Sequence, residues 1–304
     1  MICHLNLDFT MQRILGNHQI QSYFDNLVKL GLLSHAYLFY GPEGIGKRLF
    51  ALKISEMIAG PRATNPDLKL IDKGNEEIHI ADVRELKNFI HLTPFGKCKV
   101  VIINNAHNLG RDASNALLKI LEEPPGKSFL FLISHLPKLL LATVLSRCQQ
   151  IRFRPLKENE ISDYLVNDPE GVRRGGPYGA GKKVLKEDAL LILKLAKGSL
   201  GLAIKLADDF DDFQKNTNLL NKLVRADFKE RFETAKKISG DSEDLKKIVG
   251  DWLIYSASPP HSFISSGGSL PDKRIAKELL RLNNILSRPQ FNHRLALEGF
   301  LVRL

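Results

Sequence analysis

The stretch AYLFYGPEGIGKR, residues 36–48, joins a short apolar run to a glycine-rich loop and the start of a helical pattern. The apolar run predicts a buried strand that leads directly into the loop. Glycines let successive backbone N–H groups turn toward a phosphate, the following helix N-terminus adds positive potential, and a lysine can reach the terminal phosphate oxygens. The stretch therefore predicts a phosphate-binding loop. Its candidate nucleotide contacts are Gly41, Gly44, Gly46, Lys47 and Arg48.

Proteins with such a loop usually bind magnesium through a hydroxyl in the loop and a carboxylate after a later strand, and this chain has other residues at both positions. A Ser or Thr usually follows the lysine and binds the ion, but here Arg48 follows it. A carboxylate usually ends the apolar run Val100–Ile103, but here Asn104 and Asn105 follow that run. An amide carries no charge and accepts no proton from water at neutral pH. We therefore predict no magnesium-dependent hydrolysis, no required cofactor, and a loop that is either empty or binds ATP or ADP without turnover.

Strand-like and helix-like patterns alternate through the first 155 residues, which is typical of a parallel sheet with crossover helices. The predicted buried strands are Ala36–Tyr40, Leu68–Ile71, Val100–Ile103, Phe129–Ile133 and Gln149–Phe153. The predicted helices between them are Gly46–Ala59, Asp82–His91, Asp112–Leu121 and Lys138–Leu145. After Pro155 the patterns become helical, with one long helix expected over Leu190–Leu206. We expect an α/β domain over 1–155, a small helical domain over 156–207 and a second helical domain over 208–304.

The composition favours a globular protein of the cytoplasm. Hydrophobic residues make up 43% and charged residues 26% of the chain, its apolar runs are too short to cross a membrane, and its first residues lack the features of a secretory signal. Cys3, Cys98 and Cys148 are scattered singly, so neither a disulfide framework nor a metal site is predicted. The net charge of +10 permits contact with nucleic acid but does not establish it. The glycine-rich segment Gly171–Lys183 predicts a mobile loop.

Several segments resemble the clamp-loader branch of the AAA+ proteins. They begin with Ile14-Leu15-Gly16, continue through the phosphate loop and include NALLKILEEPP at residues 115–125. The run LSRCQ at residues 145–149 resembles the family's Ser-Arg-Cys motif, whose arginine reaches into the ATP site of a neighbouring subunit. The resemblance implies that Arg147 is such an arginine finger, because a guanidinium beside the γ-phosphate stabilises charge in the transition state. The alternative is an ordinary arginine at a helix C-terminus.

The resemblance extends into the helical part of the chain. AKGSLGLA at residues 196–203 is similar to the segment that supplies a phosphate-sensing arginine in active subunits, and Gly201 stands at that position here. NHRLALE at residues 292–298 resembles the last helix of the family's oligomerising collar. The implied fold is a RecA-like AAA+ domain with a five-stranded parallel sheet, a helical lid and an all-helical collar. Relatives often carry four zinc-binding cysteines after the phosphate loop, but residues 60–80 contain none.

The loss of catalytic positions beside a retained finger implies a subunit that supports ATP hydrolysis by its neighbours. The implied partners are the delta subunit and the tau or gamma ATPases of DNA polymerase III, in a heteropentamer that loads the sliding clamp on primed DNA. Two other interpretations stay open. An active tau-type or gamma-type ATPase, or a helicase-like AAA+ motor, would need acids at Asn104 or Asn105. A freestanding DNA-binding module would need interleaved aromatic and basic side chains.

Overall fold

The computed structural model describes residues 14–61, 65–167, 186–257, 273–288 and 290–304. These residues form two compact units. The first contains the described residues as far as Tyr164 together with Lys197–Leu202, and the second contains the other described residues. Cys3 and the predicted loop Gly171–Lys183 lie outside the described residues. The division into three domains at residues 155 and 207 stays a prediction.

Five parallel strands form the sheet of the first unit, in the order β2-β3-β4-β1-β5. They are β1 Ala36–Tyr40, β2 Leu68–Ile71, β3 Lys99–Ile103, β4 Ser128–Ser134 and β5 Gln149–Arg152. β1 lies between β4 and β5, with Leu38 opposite Leu132 of β4 on one side and Gln150 of β5 on the other. The predicted α/β fold class is confirmed, and every predicted strand is present with ends that differ by at most one residue.

Helices cover both faces of this sheet. They are α1 His18–Leu30, α2 Lys47–Ala59, α3 Ile80–His91, α4 Arg111–Glu122, α5 Ala142–Leu145 and α6 Glu158–Ser162. Successive side chains of a strand point to opposite faces, so neighbouring residues enter different cores. Leu38 belongs to a core with Leu86 of α3 and Leu117 of α4, whereas Phe39 belongs to a core with Phe24 of α1 and Phe50 of α2. The phosphate loop therefore follows a strand that is buried on both faces.

Two predictions about this domain are wrong. The predicted continuous helix Lys138–Leu145 is a 3₁₀ turn, Pro137–Leu139, followed by the short helix α5. Leu140 takes extended backbone angles, which turns its side chain into the core while Leu139 stays exposed. The predicted burial of all five strands also fails for the two edge strands. Three of the four residues of β5 are exposed, and three of the four residues of β2 are only partly buried.

The predicted single helix Leu190–Leu206 is also wrong. The chain instead forms α7 Lys186–Ala196 and α8 Leu200–Asp208. The break falls where Lys197 and Gly198 take φ angles of 48° and 83°, in the left-handed region that ends helices. A Cβ atom on Gly198 would collide with Pro155 and Leu156, so this close approach requires glycine.

All secondary-structure elements described in the second unit are helices. After α8 come α9 Phe210–Arg225, α10 Phe228–Ile238, α11 Ser242–Ser256, α12 Lys273–Leu286 and α13 His293–Val302. Asp227 and Asp241 accept hydrogen bonds from backbone N–H groups in the first turns of α10 and α11, as helix N-caps do. Buried Trp252 donates from Nε1 to the carbonyl oxygen of Asn216, which joins α11 to α9. No helix among the described residues has both the length and the apolar character that a membrane crossing requires.

Candidate functional site

The glycine-rich loop joins β1 to α2, as the sequence predicts. Gly44 and Gly46 take backbone φ angles of 73° and 91°, which residues other than glycine rarely adopt. α2 begins at Lys47, so the backbone N–H groups of its first turn lie at the end of the loop. The local geometry is that of a helix N-terminus that could receive a phosphate.

Lys47 is turned back into its own loop. Its side chain is only 6% exposed, and Nζ donates to the carbonyl oxygens of Gly41, at 2.8 Å, and Pro42. Burial lowers the pKa of Lys47 to about 8, against a smaller opposing effect of Glu43. In this arrangement the ammonium group is held by hydrogen bonds to the carbonyl oxygens of its own loop, and it would have to leave them to contact a phosphate.

The first turn of α8 and the residue before it contact the same loop. The backbone N–H of Gly201 donates to the carbonyl oxygen of Gly44 at 2.8 Å. A Cβ atom on Gly44 would collide with Ser199 Oγ, and a Cβ atom on Gly201 would lie 3.2 Å from Gly44 Cα. Gly201 stands where active relatives carry the phosphate-sensing arginine, and it contacts the loop through its backbone.

Asp72 connects the two positions where magnesium ligands are expected. Its Oδ2 lies 3.3 Å from Nη1 of Arg48, and its Oδ1 accepts a hydrogen bond of 3.1 Å from Nδ2 of Asn104. The sequence analysis missed Asp72, although it directly follows β2, at the sheet edge where β3 also ends. Because Asp72 is already paired with the guanidinium of Arg48, and Asn104 offers no charge, these residues do not fit a magnesium ion, which needs oxygen ligands in an octahedral shell.

Two histidines near this edge of the sheet were also missed. The rings of His107 and His135 pack edge to face with centroids 4.2 Å apart, and His107 Nδ1 lies 3.2 Å from Ser134 Oγ. Burial, and secondarily the proximity of His135, lower the pKa of His107. In the part of the chain that the structure describes, no three His, Cys, Asp or Glu side chains lie close enough to hold a metal ion.

Arg147 lies in the turn between α5 and β5, with its side chain 36% exposed. Nη2 forms an ion pair of 2.6 Å with Oε1 of Glu122, and Nη1 donates to the carbonyl oxygen of Thr143 at 3.0 Å. The next residue, Cys148, is buried, and burial raises the pKa of its thiol to about 12, so it offers no thiolate near neutral pH.

Arg147 and the phosphate loop lie at opposite ends of two neighbouring parallel strands. β1 and β5 run parallel, with Tyr37 opposite Gln149 and Tyr40 opposite Arg152. Arg147 precedes β5, whereas the loop follows β1. Five residues of strand separate the two ends by about 16 Å. The structure therefore does not bring Arg147 to the nucleotide contacts predicted in the same chain.

The chain resembles subunits of DNA polymerase III. Residues 16–157 match the model of the family described as DNA polymerase III, delta subunit. DNA polymerase III subunit tau/gamma of Haemophilus influenzae is 31% identical over 240 residues, which are 71% of this chain and 33% of that protein. Subunit delta' of Pseudomonas aeruginosa is 39% identical over 140 residues, which are 38% of this chain and 42% of that protein. Subunit delta' of Bacillus subtilis is 33% identical over 159 residues, which are 46% of this chain and 48% of that protein.

The matches thus span between a third and a half of the length of these relatives. Among solved structures, a DNA polymerase III, gamma subunit-related protein of Thermotoga maritima aligns with a TM-score of 0.58 and 22% identity. The alignment covers 92% of this chain and 97% of that protein, and it supports the fold. Residues 16–157, which carry the phosphate loop and the Ser-Arg-Cys motif, thus form a domain of the clamp-loader family of AAA+ proteins.

Proposed function

We propose that this chain is the delta-prime subunit of a bacterial DNA polymerase III clamp loader. It supports ATP-driven loading of the sliding clamp on primed DNA during replication and does not itself hydrolyse ATP. The observation that carries this proposal is the network of Arg48, Asp72 and Asn104, because it replaces a magnesium site with an ion pair and a hydrogen bond inside the protein.

The surroundings of the phosphate loop agree with a non-hydrolysing subunit. Phosphoryl transfer needs a metal ion that neutralises the phosphates and a group that orients the attacking water. Arg48 and Asn104 remove the metal ligands, and Lys47 is engaged by the carbonyl oxygens of its own loop. Binding of ATP or ADP without turnover would require Lys47 to turn outward.

Arg147 would act on the ATP of a neighbouring subunit. Its separation from its own phosphate loop by the length of a strand supports action on another molecule. The proposed partners are the delta subunit and the tau or gamma ATPases in a heteropentamer, which contacts primed DNA and the sliding clamp as a complex. Residues 208–304 would form the collar domain that joins the subunits.

An active ATPase of the tau or gamma type is the second candidate. The tau/gamma relative of Haemophilus influenzae aligns with 71% of this chain, against 38% for the delta' relative of Pseudomonas aeruginosa. The two candidates differ in one measurable property, which is ATP hydrolysis by this chain's own phosphate loop.

The test compares the isolated chain with its Lys47→Ala variant in magnesium-dependent ATP turnover. We expect equal, background rates. In parallel, the chain is combined with the cognate delta and tau or gamma subunits, and native mass spectrometry determines the subunit stoichiometry of the complex. Assembly of one copy per pentamer supports the delta-prime role. Turnover by the isolated chain that Lys47→Ala abolishes would instead identify an active ATPase subunit.

A further inference from the structure

Glu122 forms an ion pair with Arg147, the proposed arginine finger. It is the last residue of α4, and its Oε1 lies 2.6 Å from Nη2 of Arg147. On the other terminal nitrogen, Nη1 of Arg147 donates to the carbonyl oxygen of Thr143 at 3.0 Å and lies 3.4 Å from Ser146 Oγ. The guanidinium therefore has acceptors from two separate elements, the end of α4 and α5 with its C-cap residue Ser146.

The backbone that carries Glu122 is itself anchored. The preceding residue, Leu121, is 2% exposed in the core, and its carbonyl oxygen lies 3.1 Å from Nε2 of His35. Glu122 thus presents its carboxylate from a rigid position. A carboxylate on a rigid helix end can select one rotamer of a long, flexible arginine side chain.

The ion pair contributes little to the stability of the fold. Glu122 is 49% exposed and Arg147 is 36% exposed, and solvent screens pairs of this kind. A guanidinium has five N–H donors, and these contacts use at most three of them. Donors therefore remain for phosphate oxygens while Glu122 is bound.

We propose that Glu122 is a positioning residue that holds Arg147 ready for the nucleotide of a neighbouring subunit. This inference rests on the proposed function. By fixing the side chain before the nucleotide arrives, Glu122 reduces the conformational entropy that the arginine loses in the transition state. The carboxylate acts only through Arg147 and does not itself touch the phosphate.

The test uses the clamp loader reconstituted from cognate subunits with four forms of this chain: wild type, Glu122→Gln, Arg147→Ala and the double variant. The matched control is Glu123→Gln, which removes the same charge from the adjacent exposed residue. Thermal unfolding and native mass spectrometry first establish that every variant folds and assembles. DNA- and clamp-stimulated ATP turnover is then measured as kcat and KM.

We expect Glu122→Gln to lower kcat by about threefold to tenfold, with KM for ATP little changed. Glu123→Gln should match wild type. The double variant should be no slower than Arg147→Ala, because two residues that act through one contact are not additive.

The remaining outcomes separate the two proposals. If Arg147→Ala slows turnover while Glu122→Gln does not, the positioning role is wrong and the finger stands. A faster Glu122→Gln complex would mean that Glu122 restrains the finger, which also overturns the positioning role. A double variant slower than Arg147→Ala would show that Glu122 acts elsewhere. Wild-type turnover by Arg147→Ala would refute the finger and, with it, this inference.

Discussion

Asp67 and Lys99 form an ion pair that is almost completely buried. Their side chains are 1% and 3% exposed, and Lys99 Nζ lies 2.8 Å from Asp67 Oδ1. Asp67 also accepts hydrogen bonds from the backbone N–H groups of Phe95 and Gly96. Burial by itself would raise the pKa of Asp67, but the hydrogen bonds and the charge of Lys99 outweigh burial and lower it. The pair therefore joins the end of the α3–β3 connection to the sheet.

We predict that Asp67→Asn destabilises the protein by about 3–5 kcal/mol, because it leaves Lys99 buried without a counter-charge. The matched control is Glu85→Gln in the Lys69–Glu85 pair, whose glutamate is 72% exposed. Removing that exposed pair should change the free energy of unfolding by about 1 kcal/mol or less. Urea unfolding followed by circular dichroism compares the two. Equal losses would show that burial of the Asp67–Lys99 pair has no special effect.

The same pair sets a pH dependence. The pKa of Asp67 is lower in the folded than in the unfolded protein, so its contribution to stability is present above the unfolded pKa of about 3.9 and is lost as pH falls through the folded value. The difference in unfolding free energy between wild type and Asp67→Asn should therefore shrink as pH falls below about 4. Thermal unfolding at a series of pH values measures it. A difference that stays constant down to the lowest pH at which both proteins fold would contradict this account.

Gly201 of α8 packs closely against Gly44 of the phosphate loop, whereas Gly250 of α11 has open space around it. A Cβ atom on Gly201 would lie 3.2 Å from Gly44 Cα and 3.3 Å from the Gly44 carbonyl oxygen, whereas a Cβ atom on Gly250 would meet nothing within 4 Å. Gly201 lies in the first turn of α8 and Gly250 lies in the middle of α11. The two glycines therefore compare a crowded helical position with an uncrowded one.

We predict opposite effects for the two alanine variants. Gly250→Ala should stabilise the protein by about 0.5–1 kcal/mol, the usual preference of a helix for alanine. Gly201→Ala should destabilise it by about 1–3 kcal/mol through overpacking against Gly44. Circular dichroism follows unfolding of both variants, and the fluorescence of Trp252 follows α11 directly, since it is the chain's single tryptophan. Stabilisation by Gly201→Ala would mean that the loop and α8 separate readily.

Elements with a continuous apolar pattern were predictable, and contacts between distant residues were not. β1 and β2 match their predicted bounds because most of their residues are apolar and their neighbours break the pattern. The break between α7 and α8 was missed because leucines keep a helical spacing across Lys197 and Gly198, where left-handed backbone interrupts the helix. At the site, the loop follows a local motif, but the pairing of Arg48 with Asp72 joins residues 24 positions apart in the chain. Such pairs depend on the order of the strands, which periodicity does not report.

Positive charge is a property of the whole chain, since Lys and Arg together exceed Asp and Glu by 44 to 34. Many of these charges are paired at the surface of the described residues. Lys247, for example, lies within 3.3 Å of carboxylate oxygens of both Asp209 and Asp212, which raises its pKa. A cation that is already paired releases fewer counterions when it meets a phosphate backbone. The net charge therefore overstates the contribution that an isolated subunit can make to DNA binding.

We predict that the isolated chain binds DNA weakly and without sequence preference, with a Kd of about 10⁻⁴–10⁻⁶ M at physiological salt, as expected for non-specific electrostatic contacts. A protein that contacts about three phosphates loses roughly 40-fold in affinity when salt rises fourfold, because each contact releases condensed counterions. Fluorescence anisotropy with two unrelated duplexes and one primed template, each measured at several salt concentrations, gives both the affinity and the slope. Equal affinities and a steep slope are expected, and the assembled clamp loader should bind the primed template more tightly than the subunit does. Tight, salt-insensitive binding of the isolated chain to one sequence would favour a freestanding DNA-binding module and would count against a subunit that reaches DNA only within its complex.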